Sequence, residues 1–381
     1  MSIMTKQSLT IIILAAMVAF GGCTSSPDLK SMPQSVKDTL VFPPPPEEPR
    51  FIYERTLRSS ADVTPDEEND ALRRALTGEK KRGDALGKPY GIAARNGRIY
   101  VGDTGRRSVL VFDIPEQKFF SFGEEDPGQL GKPLGLDLDD EGNVYVLDGV
   151  NKNITVFDRD GVFLRNFGKP GDINRPAGLG VNGDGTRVYA VDIGGSSNET
   201  HRIVVYDGKS GDRLSIIGQR GDKPGEFNLP RDVRVDLDGS LYVVDGGNFR
   251  VQKLDADGKF ISAFGSIGRM GGQFSRPKSV DLDKDGNIYV TDAAFGNFQI
   301  FNPEGQLLLA VGTRSSIKGP THSMLPAGVA VDGDGRIYFA DQFYQKVDVY
   351  RPIDLGLTEG FTNKDMRGKY NPDLEEEVDQ Q

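Results

Sequence analysis

Two histidines, His201 and His322, and one cysteine, Cys23, are the only imidazole and thiol groups in this 381-residue chain. A catalytic zinc site generally takes three protein ligands and keeps a fourth position open, so the two histidines alone do not make one. Carboxylates are plentiful. Three of them, Asp137, Asp232 and Asp281, stand inside short runs of apolar and small residues, where burying a charge is costly. Arg234 occupies a run of the same kind. An arginine and carboxylates in such places either neutralise one another or line a wet channel that takes a polar ligand or a divalent ion. A second group combines cations with aromatics: Arg106, Arg107, Lys152, Arg231 and Lys278, with Phe343 and Tyr344. Arginine beside aromatic rings is the composition of protein-interface anchors.

What positions these groups is one phrase written six times: a Pro, a short apolar run, an acidic-Gly turn, an apolar-Tyr-apolar triplet, an Asp and a second apolar run. The copies open at Pro89, Pro133, Pro176, Pro230, Pro277 and Pro326, spaced 43 to 54 residues apart. That period suits a four-stranded propeller blade. The tyrosines fall in register at Tyr100, Tyr145, Tyr189, Tyr242, Tyr289 and Tyr338, and each triplet is followed by Asp103, Asp148, Asp192, Asp245, Asp292 or Asp341. An aspartate present in every copy points to backbone capping, since a catalytic group is seldom needed six times. Turns such as Asp283-Lys284-Asp285-Gly286 lack the twelve-residue loop and closing Glu of an EF-hand and read as hairpins.

A fourth, outer strand ends five copies, but after Val347 to Tyr350 the sixth has none. An orphan run, Phe51 to Leu57, precedes the first copy. An unpaired sheet edge exposes backbone donors and acceptors, so this run is expected to supply the missing outer strand. The fold class is therefore all-β, a six-bladed propeller closed by an N-terminal outer strand over residues 51–352. The long connections Ser59 to Gly87, Ile193 to Arg202 and Thr313 to Leu325 all belong to one face, the top. His201 and His322 fall in two of them, as solvent-exposed loop residues. Thr64-Pro65-Asp66-Glu67 begins a capping pattern that predicts a helix over 64–78.

The phrase Pro326-Ala327-Gly328-Val329-Ala330-Val331-Asp332 with Gly335-Arg336-Ile337-Tyr338-Phe339-Ala340-Asp341, and Arg202-Ile203-Val204-Val205-Tyr206, resembles the NHL repeat of six-bladed propellers. The resemblance covers about Phe51 to Pro352. It implies fold rather than activity, because this architecture hosts binding scaffolds as well as lyases and hydrolases.

Ahead of the repeats, Lys6 precedes an apolar run from Leu9 to Phe20, the proportions of a signal-peptide core. Phe20-Gly21-Gly22-Cys23 resembles the lipobox of bacterial lipoproteins, which implies a signal peptide over 1–22 and an acylated Cys23. Thr24 after the cysteine implies forwarding to the outer membrane of the cell envelope. Residues 23–50, with Pro43-Pro44-Pro45-Pro46, read as a stiff tether, and 353–381 as an acidic disordered tail. A net charge of -10 and a pI near 5.0 argue against a nucleic-acid partner. The expectation is a noncatalytic scaffold that needs no cofactor and presents its top face to an envelope or exported protein or a small ligand. The alternative is a lyase or hydrolase holding a divalent ion on Asp137, Asp232 and Asp281, acting on an exported small molecule or peptide.

Overall fold

Each copy of the phrase folds as one antiparallel sheet because its apolar positions alternate with a period of two and its turns carry Asp and Gly. The computed structural model describes residues 40–65, 76–77, 83–194 and 200–362. Five four-stranded sheets follow one another in chain order, and a sixth has five strands. Their inner strands are Pro89–Arg95, Pro133–Leu138, Pro176–Val181, Pro230–Val235, Pro277–Leu282 and Pro326–Val331. Each packs on the next, and the last packs on the first, so the six blades form a closed ring.

Closure comes from the N-terminal side, as the sequence implies. Strand β2 (Phe51–Leu57) pairs antiparallel with Lys346–Pro352, from Phe51 opposite Pro352 to Leu57 opposite Val347. The sheet extends one strand further than expected. Strand β1 (Val41–Phe42) folds back on β2, and the Phe42 ring meets Tyr350 edge-on at 5.7 Å. Pro43 to Pro46 therefore lie in the return between β1 and β2, so residues 41–50 belong to the sheet and its turn rather than to the tether expected to run to residue 50. At the other end, residues 353–362 are ordered where a solvated tail was expected. Phe361 is buried, its amide donates to Asp334 Oδ2 at 3.0 Å, and the segment covers the Arg336 side chain. Arg336 is fully buried and bonds to Glu54 of β2 at 2.9 Å and to Asp334.

The core lies between neighbouring blades. Tyr145, Leu147 and Ile154 of blade 2 pack on Leu179, Val188 and Val204 of blade 3. Ile92, Val101 and Leu110 of blade 1 pack on Ala330, Ala340 and Val347 of blade 6. The Pro-x-Gly motif serves this packing. A Cβ on Gly178 would lie 2.3 Å from the Asp232 carboxylate, and one on Gly91 2.5 Å from the Leu134 carbonyl oxygen. Only glycine allows the inner strands to come this close.

The recurrent aspartates are all buried and all hold backbone. Asp292 accepts the amides of Ser275 and Arg276 from the connection into its blade, and those of Ala294 and Phe295 from the following turn. Asp103, Asp148 and Asp341 accept in the same two directions. The acidic turns are hairpins as expected: Asp283 Oδ1 accepts from the amides of Asp285 and Asn287 at 2.9 Å. Most of the helix expected over 64–78, the signal segment 1–22, Cys23 and the tail from 363 lie outside the described residues. Leu76 and Thr77 are helical.

Candidate functional site

Inner strands run from the top face downward, so a residue's offset from its proline fixes its depth in the channel. One position after the proline come Tyr90, Leu134, Ala177, Arg231, Lys278 and Ala327, which line a narrow pocket open at the top, with about 30 Å³ of space inside it for water-sized groups. Arg231 and Lys278 stand on adjacent blades, and the Lys278 Nζ lies 6.0 Å from the centre of the Tyr90 ring, contributed by blade 1. One position before the proline come Lys88, Lys132, Arg175 and Arg276, so cations surround the mouth of an acidic protein. Among the described residues, neither Arg231, Lys278, Arg175 nor Arg276 has a carboxylate within ion-pair distance. Burial pushes the Lys278 pKa down to about 8, and Arg231 and Arg276 add to the effect. Burial lowers Arg231 as well, with Arg175 and Arg276 acting in the same sense. Two partly buried cations without counter-charge cost stability, which a bound anion would recover.

The channel is sealed three positions lower. There the series reads Ala93, Asp137, Gly180, Arg234, Asp281 and Ala330. The small side chains of blades 1, 3 and 6 leave the space that Arg234 fills. Its Nε bonds to Asp281 at 2.6 Å and its Nη1 to Asp137, so the sequence-level pairing with Asp281 holds and Asp137 joins it from across the ring. Each carboxylate also ties two blades together. Asp137 accepts the amides of Leu138 and Val181, and Asp281 those of Leu282 and Val331. Asp232, two positions higher, accepts Ser279 Oγ at 2.7 Å and the amides of Val233 and Val280. The divalent-ion reading needed these three carboxylates to converge with free oxygens. They do not fit it, because Arg234 and backbone amides already occupy Asp137 and Asp281, and Asp232 is engaged at another level. Below the seal the channel widens into a depression of about 650 Å³ edged by acidic turns.

Burial raises Asp232 to about 7 and Asp281 to about 6, the latter against the opposing pull of Arg234. Burial and the neighbouring Asp334 raise Asp332, which caps the Asn96 and Gly97 amides, to about 7. A carboxyl raised in the folded state stabilises the fold when protonated, and that contribution is lost as pH rises through the raised value. Lys278 acts in the opposite direction, but mainly above pH 7. Lowering the pH from 7.5 to 5 should therefore raise the thermal midpoint, by roughly 2–4 °C per kcal/mol gained. A scanning-calorimetry series showing a fall over that window would contradict this.

The other expected site residues divide. Arg106 faces Asp84 at 3.8 Å, and Arg107 and Lys152 occupy left-handed turn positions with φ of 63° and 55°, exposed on the top rim but outside the channel mouth. His201 is buried, contrary to the exposed loop residue expected. In the other described blades the recurrent aspartate accepts both amides preceding the proline. Asp245 takes that of Asn228, while Leu229 N–H donates to His201 Nδ1 at 3.2 Å, so the histidine stands in for the carboxylate. His322 Nδ1 bonds to the Ile317 carbonyl within its own loop, and His322–Ser323 pairs with Thr313–Arg314. The two histidines thus serve separate loop structures. Tyr344 is buried and donates to the Ser315 carbonyl at 2.7 Å, while Phe343 stacks edge-on against it and remains 60% exposed. Tyr90, Arg175 and Arg276 belong to the mouth and were not picked out from sequence, although reading the repeats column by column at fixed offset from the proline would have exposed them.

Residues 227–254, which span the inner, second and third strands of blade 4, match the NHL repeat family. Blade 4 thus carries an NHL repeat, and the chain folds as a six-bladed propeller. It is 33% identical over 129 residues to the NHL repeat-containing protein 3 of Mus musculus, a stretch that is 30% of this chain and 36% of the mouse protein. The chain thus spans about a third of that curated relative. Among solved structures, the propeller is similar to a Bacteroides thetaiotaomicron protein of unknown function, with a TM-score of 0.57, 17% identity and coverage of 80% of this chain and 76% of the other. It is also similar to Kuenenia stuttgartiensis hydrazine synthase, with a TM-score of 0.51, 15% identity and coverage of 72% and 98%. A streptogramin B lyase gives a TM-score of 0.50 at 14% identity, covering 70% and 94%. At such identities the likeness carries the propeller fold and no activity.

Proposed function

We propose that this propeller is a noncatalytic scaffold of the bacterial envelope, anchored through an acylated Cys23, that captures an envelope or exported protein with its top face. The observation that carries the reading is the uncompensated cation pair Arg231 and Lys278 in the mouth of a channel sealed by Arg234, on a molecule whose net charge is -10. An acidic body keeps nucleic acid away, while a local basic mouth focuses an anionic partner. The Thr313 to Leu325 connection supports the same reading, because it is pinned by Tyr344 and leaves Phe343 facing solvent.

A photo-crosslinking residue placed at Phe343 should give a discrete adduct in intact cells. The same probe at Leu237, 89% exposed in an inner-to-second-strand turn on the opposite face, should not. Combining Arg231→Glu with Lys278→Glu should remove the Phe343 adduct, and Cys23→Ser should move the protein out of the membrane fraction. Adducts of equal yield from both faces would sink the top-face assignment.

A further inference from the structure

We infer that the channel mouth is a socket for a single carboxylate carried on a compact apolar body. The inference deepens the top-face reading and rests on it for the choice of face. Its chemistry follows from how the cavity divides. One side is cationic, formed by Arg231 and Lys278 on neighbouring blades, with Arg175 and Arg276 close enough to depress their charge. Leu134, Ala177 and Ala327, the equivalent positions of blades 2, 3 and 6, are apolar, and the Tyr90 ring completes the wall. The floor is closed, since Arg234 is committed to Asp137 and Asp281.

A planar carboxylate suits a guanidinium fork with a second point charge beside it. The apolar positions then have something to cover. A bare phosphate would leave Leu134 and the Tyr90 ring, the half-buried members of the wall, without a partner, and a polyanion would be repelled by the acidic body once it extended beyond the mouth. The mouth encloses only about 30 Å³ of space for water-sized groups, which suits the carboxylate itself, so the apolar body that carries it rests at the rim and no folded segment enters. Two sources supply this chemistry: a free short-chain or aromatic acid, and the C-terminal carboxylate of a protein ending in an apolar residue.

Titration calorimetry on the full lipid-anchored chain in detergent distinguishes them, with hexanoate, benzoate, inorganic phosphate, and a pentapeptide ending in Leu as free acid and as C-terminal amide. Binding of the free-acid peptide or of either small acid, at least about tenfold tighter than phosphate or the amide, is the expected result. Hexanoate or benzoate binding as tightly as the peptide assigns the free acid as source, and a peptide advantage assigns the C-terminus. Arg231→Ala and Lys278→Gln should each weaken binding at least about tenfold while leaving the thermal midpoint unchanged or higher, because each removes an uncompensated cation. A purely structural role for these residues would lower the midpoint. Binding at pH 8.5 should take up protons as the anion restores charge to Lys278, read from the dependence of the heat on buffer ionisation. The groups facing Lys278 from the packed blades are Arg231, Arg276, Arg175, Tyr90 and Asp232, and a rise in Asp232 would give uptake of the same sign. Phosphate or amide binding as tightly as the free acid, no binding by any acid, or a lowered midpoint in both variants would overturn the socket. Acid binding without a Phe343 adduct would leave the socket standing and remove the scaffold, and an adduct without acid binding would do the reverse.

Discussion

Replacing Arg234 with Met should cost the fold roughly 3–5 kcal/mol at pH 8 and markedly less at pH 5. The substitution keeps most of the side-chain volume and removes the charge that Asp137 and Asp281 share across the channel. Neither carboxylate can turn away to water. Asp137 is held by the amides of Leu138 and Val181, and Asp281 by those of Leu282 and Val331, so both stay buried and facing the vacated site. Burial alone already raises both above the ordinary carboxylate range, and losing Arg234 removes the main opposing pull. The variant should therefore bind protons at these positions more readily than the parent, and protonation lifts the penalty as pH falls through the raised values. Urea unfolding of both proteins at pH 5 and pH 8 measures the difference. An equal loss at the two pH values would mean that Arg234 contributes by packing and that the ion pairs are incidental.

Much of this frame was legible in the residues before any coordinates. Six registers of Pro, Tyr and Asp specify six equivalent sheets, and a sixth copy without an outer strand points to the orphan run at Phe51 as the closing element. Local chemistry sufficed because each blade repeats one pattern and departures from it stand out. The seal was half legible. Arg234 and Asp281 are on adjacent blades and their pairing follows from chain order, whereas Asp137 is two blades away on the other side and joins only because Ala93, Gly180 and Ala330 leave the centre empty. Burial that depends on distant chain could not be read. Arg336 occupies a turn position filled elsewhere by Arg98, Asn143, Arg187, Ser240 and Asn287, and it is buried because Glu54 and residues 353–362 cover it. Strand β1 was hidden by its neighbours, since a tetraproline run signals extension and gives no hint that Val41 and Phe42 return to the sheet. His201 was misplaced for a similar reason: nothing local to it reveals that the Leu229 amide, on the next blade, lacks a carboxylate acceptor.

A chain lacking residues 1–57 should lose cooperative unfolding. Without β2, the strand Lys346–Pro352 becomes a bare edge at the closure of the ring, with seven residues of ladder open to other chains. The apolar loss is concentrated. Leu57 is fully buried between blades 6 and 1, and the rings of Phe42 and Tyr53 sit edge-on against Tyr350 at 5.7 Å and 6.0 Å. At about 1.5–3 kcal/mol for each large side chain, these three alone approach the lower end of ordinary domain stability. The polar losses fall on buried groups. Arg336 keeps Asp334 but loses Glu54, and Asp348 loses the 2.5 Å bond from Thr56 while keeping Lys346. Breaking a buried ion pair from one side adds roughly 3–5 kcal/mol, so the sum exceeds what a single domain usually has to spare. The truncated protein should give a broad guanidinium transition and a tendency to associate through the open edge. A synthetic peptide covering residues 41–57 should restore a sharp transition when added in trans, because its two strands carry the pairings of β1 and β2. An unchanged midpoint in the truncated chain would show that the ring closes through its inner strands alone and that the N-terminal strands only cover it.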